Sequence, residues 1–516
     1  MKPFTLCATL LLLLGGCSRE QPPSSNAELV ISGPFEIVSQ DPAEAGYIFT
    51  RMQVLETLVD VDPDGELQPG LASSWQHSAD FRDWRFTIRP AVSFHNQTPL
   101  TSAAVANSLT IASHNPGPLS QIAISAIEAD TTAADAVVHI RLEHPYRPLA
   151  AVLANYSTAI LAPASYRADD QHVEQVIGTG PYQVDQLTMP HRLLTRRFDN
   201  YWGQQPAIAS ADYITGHRSE TRALMLQNGQ ADIVYNLDPA SVAMLQQQQH
   251  VRVSSVAIPR TIVIKLNNGH PLLQQLPMRQ ALSLALDREG IAAGILRVPE
   301  AAANQLFGPS LGQWFNPSIA AAERNLQQAN QLLDQLGLDW PGASRWRLYQ
   351  GQPLTLEMIT YANRPELISI ATAIQAQWAD IGVQLNVLVD NSSAVPAGHR
   401  NGTLQTALIA RNLASVPDIF ALLLNDFRTP DGSGWGPMGW SSSALSGLLT
   451  QMENTTDPAQ LRQLAQQASS LLAQQLPLIP VSWYQQRTGV SKQLQGFRFD
   501  PWERSFGIAD MSIVKP

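Results

Sequence analysis

The 516-residue chain is 44% hydrophobic and 15% charged, the balance of a packed protein rather than a disordered one; at ~150 residues per domain it holds two or three domains. Its formal net charge of −10 argues against nucleic acid, whose phosphates demand a basic face. The only cysteines are Cys7 and Cys17, so beyond position 17 there is neither a disulfide nor a thiolate nucleophile.

Lys2 gives the extreme N-terminus a positive charge. Residues 4–14 are nearly all apolar, yet shorter than the ~20 residues a bilayer-spanning helix needs. With small residues before a cut, this is the pattern of a cleavable export signal, residues 1–16. Leu14-Gly15-Gly16-Cys17 resembles a bacterial lipoprotein signal, in which Cys17 becomes the lipidated first residue; the alternative is an ordinary signal that contains a cysteine. Residues 17–28 are polar and proline-containing and read as a flexible tether, with order beginning near Leu29. No apolar stretch after Cys17 approaches the length of a membrane helix.

Apolar spacing through Met52, Leu55 and Leu58 predicts a helix over 51–58, and Asp62-Pro63-Asp64-Gly65 a turn. Trp84, Phe86 and Ile88 alternate with polar residues as in a strand. A helix over 101–112 follows, capped by Thr101 or Ser102, and further strands are expected at 137–142 and around Ile160. In the second half, Leu326, Ala329, Leu332, Leu333 and Leu336 mark a helix over 325–338 that stops at Gly337. Leu354, Leu356 and Met358 read as a strand. A helix over 366–381 ends at Gly382, and a strand returns over 383–389. This strand-helix-strand run points to an α/β domain with some parallel pairing. A long amphipathic helix spans 458–475, and Leu476-Pro477-Leu478-Ile479-Pro480-Val481 punctuates it.

No catalytic constellation is evident: there is no H-E-x-x-H, no G-x-S-x-G, and no clustered Cys/His set. No cofactor and no metal site are expected. Gly178 and Gly180 read as positions whose backbone angles a side chain would forbid, with Pro181 fixing the exit direction. Trp75, Trp84 and Trp202 read as core anchors, and His95 as structural.

Several motifs together resemble the extracytoplasmic solute-binding proteins, family 5, of peptide- and nickel-type ABC importers. Pro69-Gly70-Leu71-Ala72-Ser73-Ser74-Trp75 is similar to the early P-x-L-A-x-x-W segment. Trp84-Arg85-Phe86-Thr87-Ile88-Arg89 followed by Val92-Ser93-Phe94-His95 matches W-x-F-x-L-R-x-x-V-x-F-H. Gly178-Thr179-Gly180-Pro181-Tyr182 and Asn200-Tyr201-Trp202-Gly203 follow, then Met278-Arg279-Gln280-Ala281-Leu282 with Leu286-Asp287-Arg288, and finally Leu478-Ile479-Pro480-Val481. Asn96-Gln97 stands where the family has Asp-Gly after its histidine, so the turn there is expected to differ.

The resemblance implies an α/β fold of the two-lobed periplasmic-binding-protein type (type II, cluster C-like), with an extra subdomain inserted in lobe I. Lobe I is expected over 29–60, 180–260 and 485–516, the inserted subdomain over 61–179, and lobe II over 261–484, with hinges near 258–266 and 481–487. Such a protein is no enzyme. It captures a small peptide or peptide-like solute between its lobes and delivers it to ABC permease subunits, as a monomer tethered outside the cytoplasm by its lipid. A metal chelate is the alternative cargo, and a sensory receptor the alternative role. Tyr47, Phe49 and Arg51 lie where the family's first lobe lines the pocket; the alternative is that Phe49 is core and Arg51 an exposed helix residue. Peptide-binding members place an Asp after an Arg/Trp-containing strand. Here that stretch holds Arg411, with Leu413 at the tryptophan position, and the Asp falls nearer Val416 unless a two-residue shift gives Asp418. The histidine ligand of the nickel branch falls at Thr429-Pro430-Asp431-Gly432, which has none. Trp435 and Trp440, on the glycine-rich loop that follows, either stack on a ligand or pack under the closing lobe.

Overall fold

The structure is a computed structural model that describes residues 29–514 apart from 131–135, 169–171, 343 and 363; the signal, Cys17 and the tether lie outside the described residues. Order begins with β1 (Leu29–Gly33). Asp41 then accepts the Ala43 N–H at 2.8 Å and Pro42 opens the first turn, which starts α1 (Pro42–Arg51). The helix expected over 51–58 therefore lies earlier in the chain. Gln53, at φ 56°, ends it, and the following residues are irregular. Met52, Leu55 and Leu58 are buried all the same, because the carbonyls of this segment bond across the chain: Val54 accepts from Gly180 N–H and Gln53 from Tyr182 N–H, both at 3.2 Å.

The chain next builds a subdomain from β2 (Ala72–His77), β3 (Asp83–Ile88), α2 (Ser102–His114), β4 (Ile124–Asp130) and β5 (Val137–Leu142). Its antiparallel sheet has the order β2-β3-β5-β4. Trp84, Phe86 and Ile88 point into a core of its own, covered by α2, whose Thr101 cap accepts the Ala104 N–H at 3.1 Å. The strand expected near Ile160 does not form. Ile160 and Ala162 donate singly to Glu56 and Ile177, two different segments, so no ladder develops.

After the subdomain come β6 (Tyr182–Thr188), β7 (Arg192–Arg197), β8 (Ser210–Thr215), α3 (Ser219–Gln227), β9 (Ile233–Val234), α4 (Pro239–Leu245) and the 16-residue β10 (Val251–Leu266). Then follow α5 (Leu276–Leu284), α6 (Leu326–Gln335), β11 (Thr355–Tyr361), α7 (Pro365–Ala379), β12 (Gln384–Asp390), β13 (Thr406–Asn412), α8 (Ile419–Phe427), α9 (Ser443–Glu453), α10 (Pro458–Gln475) and the 14-residue β14 (Leu478–Ser491). Gly382, at φ 75°, makes the sharp exit from α7 into β12, and β11 and β12 pair in parallel as the strand-helix-strand pattern implied.

One ten-stranded sheet, in the order β12-β11-β13-β10-β14-β9-β1-β8-β7-β6, runs through both lobes. Its two long strands join them. The first part of β10, Val251 to Ala257, pairs with the last part of β14, and Thr261 to Lys265 pairs with the first part. The register shifts between Ala257 and Thr261, a bulge that bends the ribbon where one core gives way to the other. On one side, β1, α1 and the C-terminal segment close the lobe I core; on the other, α5 to α10 close the lobe II core around Trp378 and Phe420. No helix among the described residues is long and apolar enough to cross a membrane.

Candidate ligand-binding cleft

At the bulge, charged side chains from both lobes converge. Arg260 leaves β10 just before pairing resumes. Its Nη2 donates to Glu503 Oε2 at 2.6 Å, and its guanidinium lies 5.3 Å from the centre of the Tyr484 ring on β14. Glu503 belongs to the C-terminal segment of lobe I and is also 3.7 Å from Arg51, the last residue of α1. From lobe II, Arg364 at the start of α7 donates to Tyr484 Oη at 2.7 Å, and Tyr484 donates in turn to Glu366 at 2.8 Å.

Electrostatics follows from this packing. Burial pushes the Glu503 carboxyl up, but Arg260, Arg51 and Arg364 outweigh it and hold the group below its ordinary value. Burial pulls the Arg260 guanidinium down against the opposing pull of Glu503. Glu503 sits at φ 55°, a strained backbone for a residue with a side chain. Asp500 holds it there by accepting the Trp502, Arg504 and Ser505 N–H groups at 2.8–3.0 Å, while Arg51 Nε donates to the Glu503 carbonyl at 2.7 Å.

A cavity of about 760 Å³ opens beside this cluster. The start of α3 and Asn236 wall it from lobe I; Arg364, Glu366 and Tyr484 wall it from lobe II. A second cavity, of about 730 Å³, lies between the subdomain, the C-terminal segment and lobe II, and is lined by Arg147, Asp418 and Trp502 among others. Cavities of this size, walled by two lobes and studded with a few polar groups, suit a small molecule. Among the described residues no group of three His, Cys, Asp or Glu side chains stands at metal-ligand spacing.

The structure brings Tyr47 and Arg51 together on α1. The Arg51 guanidinium lies over Phe35 at 4.5 Å and over Tyr47 at 5.6 Å, and Tyr47 meets Tyr156 of the subdomain edge to face. Phe49, on the opposite side of α1, is fully buried in the lobe I core. Arg411 is buried in lobe II and paired with Asp426 at 2.6 Å. Asp418 caps α8, accepting the Phe420 N–H at 2.8 Å; burial raises its carboxyl against the pull of Arg147. Trp435 meets Tyr361 edge to face at 6.5 Å, and Trp440 is buried against Phe427. Sequence reading passed over Arg260, Arg364, Tyr484 and Glu503. Only Arg260 left a trace, as a lone cation in the apolar run Ile258-Pro259-Arg260-Thr261-Ile262-Val263.

The profile of the bacterial extracellular solute-binding proteins, family 5, middle region, matches residues 66–433, well over half of the chain. The chain belongs to family 5 of the bacterial extracellular solute-binding proteins. It is similar to the nickel-binding periplasmic protein of Escherichia coli K12, at 24% identity over 99% of each chain. It is also similar to the dipeptide-binding protein of the same organism, at 22% identity over 94% of this chain and 92% of that one. The crystal structure of NikA from Brucella suis in complex with Fe(III)-EDTA superposes with a TM-score of 0.83 at 22% identity, covering 94% of this chain and 99% of that one.

Three of the family 5 motifs turn out to be tied to one another at the first lobe. Glu56, half-buried, accepts from Thr179 Oγ1 at 2.7 Å, Tyr201 Oη at 3.0 Å and Trp202 Nε1 at 3.0 Å, which ties the G-T-G-P-Y segment to N-Y-W-G. His95 clips the same glycines: the Gly178 N–H donates to Nδ1 at 3.2 Å, and Nε2 lies 3.0 Å from the Gly180 carbonyl oxygen. Burial lowers this imidazole to about 4, so it works as a neutral donor and acceptor. The two glycines are needed for a different reason than the one expected. Neither has a positive φ; a Cβ on Gly178 would stand 2.2 Å from the Val54 oxygen, and one on Gly180 2.2 Å from the Gln53 oxygen. Close backbone approach, not turn geometry, excludes a side chain. Gln97 accepts the left-handed turn after His95 at φ 67° and takes a 2.6 Å hydrogen bond from Asn200.

Proposed function

We propose that this family 5 protein captures a small peptide or peptide-like solute between its lobes and delivers it to the membrane subunits of an ABC importer. The observation that carries the reading is the pair of continuous strands, β10 and β14, that link two separate cores across a polar, cavity-bearing cleft. Strands 258–266 and 481–487 then serve as the hinge, and closure is biased by contacts the solute makes with both lobes. Tyr47 and Arg51 line the lobe I wall in this reading, and Asp418 and Trp435 approach from lobe II.

The protein acts by binding rather than catalysis, and works as a monomer. Cys17 carries the lipid that keeps it beside its permease, outside the cytoplasm; because one acyl chain anchors only marginally, two or more are expected. A nickel chelate is the competing cargo, favoured by the similarity to nickel-binding relatives. Thermal-shift titration with di- to pentapeptides and with nickel–histidine separates the two, since a ligand that binds only the native state raises its melting temperature. Stabilisation by peptides is expected. A response to nickel–histidine alone would transfer the assignment to the chelate.

A further inference from the structure

We infer that Lys265 and His399 form an acid-sensitive latch that positions the loop 431–437 beside the cleft, so that solute is held at neutral pH and gripped less tightly in acid; this rests on the solute-capture reading above. Packing gives this loop little support. Trp435 is its one large side chain, and it meets Tyr361 edge to face, just before Ala362 and Arg364 on the cavity wall. At Gly432 and Gly434 the backbone itself lies against lobe II, where a Cβ would stand 2.2 Å from the Asp426 oxygen and 2.8 Å from Pro396. Met438 is the next fixed point: it is buried, its N–H donates to the Leu266 carbonyl at the end of β10, and its carbonyl accepts the Asn268 N–H at 2.8 Å.

Hydrogen bonds hold what packing does not. Lys265, wholly buried on β10, donates to His399 Nδ1 at 2.7 Å, to the Gly434 carbonyl at 3.1 Å and to the Gly436 carbonyl. An ammonium group has three N–H bonds, and these three acceptors use them all. His399 belongs to the short helix Ala394–Arg400, and its Nε2 lies 2.9 Å from the Asp431 carbonyl oxygen, which can only accept. Nε2 therefore carries the ring proton and Nδ1 is bare, the neutral imidazole in one tautomer. Through this one ring and this one ammonium, Asp431, Gly434 and Gly436 are all tied to the body of lobe II.

A second proton on the ring breaks this arrangement. It would sit on Nδ1 and face the Lys265 ammonium, donor against donor and charge against charge, across 2.7 Å in a buried site. Of the other charged groups around the pair, Asp426 on α8 is engaged by Arg411 of β13 and by the Ser433 hydroxyl. Burial and Lys265 hold the His399 imidazole below its ordinary value, against the pull of the Asp431 and Gly434 carbonyls and the Asp431 carboxylate. Linkage supplies the sign. A group whose value is lowered in the latched form binds its proton better once released, so acid favours release.

The test follows amide exchange at 431–437 in the purified chain by mass spectrometry at pH 7.0 and 5.0, corrected for intrinsic exchange, with α7 as internal reference. Loop protection should fall by up to about tenfold for each pH unit below about 6.5, while α7 is unchanged. H399Q offers an oxygen to Lys265 and an N–H to Asp431 but cannot titrate, so its loop should stay protected at pH 5.0. Trialanine affinity, measured by titration calorimetry, should fall in acid with the loop in the wild type and hold in H399Q. If H399Q does not fold, nitrogen NMR of the histidine-labelled wild-type chain decides. His399 should be the Nε2–H tautomer at pH 7.0 and take its second proton as the loop loses protection. Equal loop protection at the two pH values, the same acid loss in H399Q, or a His399 that charges with no change in the loop overturns the inference. So does a released loop with unaltered trialanine affinity, which leaves solute capture intact. If trialanine binds at neither pH, it is the peptide reading that falls, and loop exchange alone decides the latch.

Discussion

Glu56 accepts the Thr179 hydroxyl at 2.7 Å across 123 residues of sequence, and this bond fastens the irregular segment after α1 to the glycine motif that returns from the subdomain. Burial raises the Glu56 carboxyl to about 7, against the smaller lowering effects of Trp202, Thr179 and Tyr201. The folded value exceeds the unfolded one, so the native state binds the extra proton between about pH 4.5 and 7. The Glu56 contribution is therefore complete below the unfolded value and is lost as pH rises through about 7, by a few kcal/mol at most. E56Q should flatten that pH dependence in denaturant titrations while keeping most of the stability, because an amide can still meet all three neighbours. E56A should cost about 2–4 kcal/mol by leaving buried donors without acceptors.

The fold was legible wherever one local signal sufficed. The period of Leu367, Ile370, Ile374 and Trp378 predicted α7, and the alternation of Trp84, Phe86 and Ile88 predicted β3, because each pattern records burial on one face. Residues 51–58 misled for the same reason. Met52, Leu55 and Leu58 are buried as a helix would bury them, but by an irregular segment whose partners lie far along the chain. The cleft cluster was harder still. Arg51, Arg260, Arg364, Tyr484 and Glu503 come from five separate segments, and nothing in their spacing announces that the β10–β14 bulge gathers them.

Gly180 and Gly447 should respond to alanine in opposite ways. A Cβ at Gly180 meets the Gln53 oxygen at 2.2 Å and the Val54 oxygen at 2.8 Å, backbone atoms that cannot step aside. G180A should cost more than about 3 kcal/mol in urea unfolding, or prevent folding. Gly447 lies exposed inside α9 with nothing near its missing Cβ. G447A should stabilise by about 0.5–1 kcal/mol through helix propensity alone. Equal effects at the two sites would show that close approach is not what the motif glycine serves.

Lys265 is wholly buried in lobe II, donating to His399 Nδ1 at 2.7 Å, to the Gly434 carbonyl at 3.1 Å and to the Gly436 carbonyl. It thereby anchors the glycine-rich loop that carries Trp435. Burial pulls the ammonium down to about 7, against the pull of Asp426. Below about pH 7 both states hold the proton; above it the native state releases the proton first, so stability should rise with pH from about 7 toward 10. Three acceptors suit the charged form, which keeps the rise to about 2 kcal/mol. K265M should abolish the rise, cost about 1–3 kcal/mol at neutral pH, and admit protease at residues 431–439.

Lobe II and the inserted subdomain touch, and in the proposed hinge motion these contacts would favour the closed form. Asn155 Nδ2 donates to the Ser415 carbonyl at 2.5 Å, and the Arg147 guanidinium lies 4.9 Å from the centre of the Phe420 ring. Neither residue belongs to the charged cluster at the bulge, so each can be removed without touching Arg260 or Glu503. A cross-lobe contact worth about 1 kcal/mol changes the closed-to-open ratio roughly fivefold. R147A should therefore shift the distance distribution between spin labels on the two lobes toward the open form. The apparent solute affinity should fall in proportion to the closed fraction, by up to about fivefold, because only the closed fraction binds with full strength. Asn155 also caps its own turn by accepting the Ser157 N–H at 2.9 Å, so N155A should lower both closure and overall stability. If R147A weakened solute binding without shifting the label distances, the contact would act on the solute itself rather than on closure.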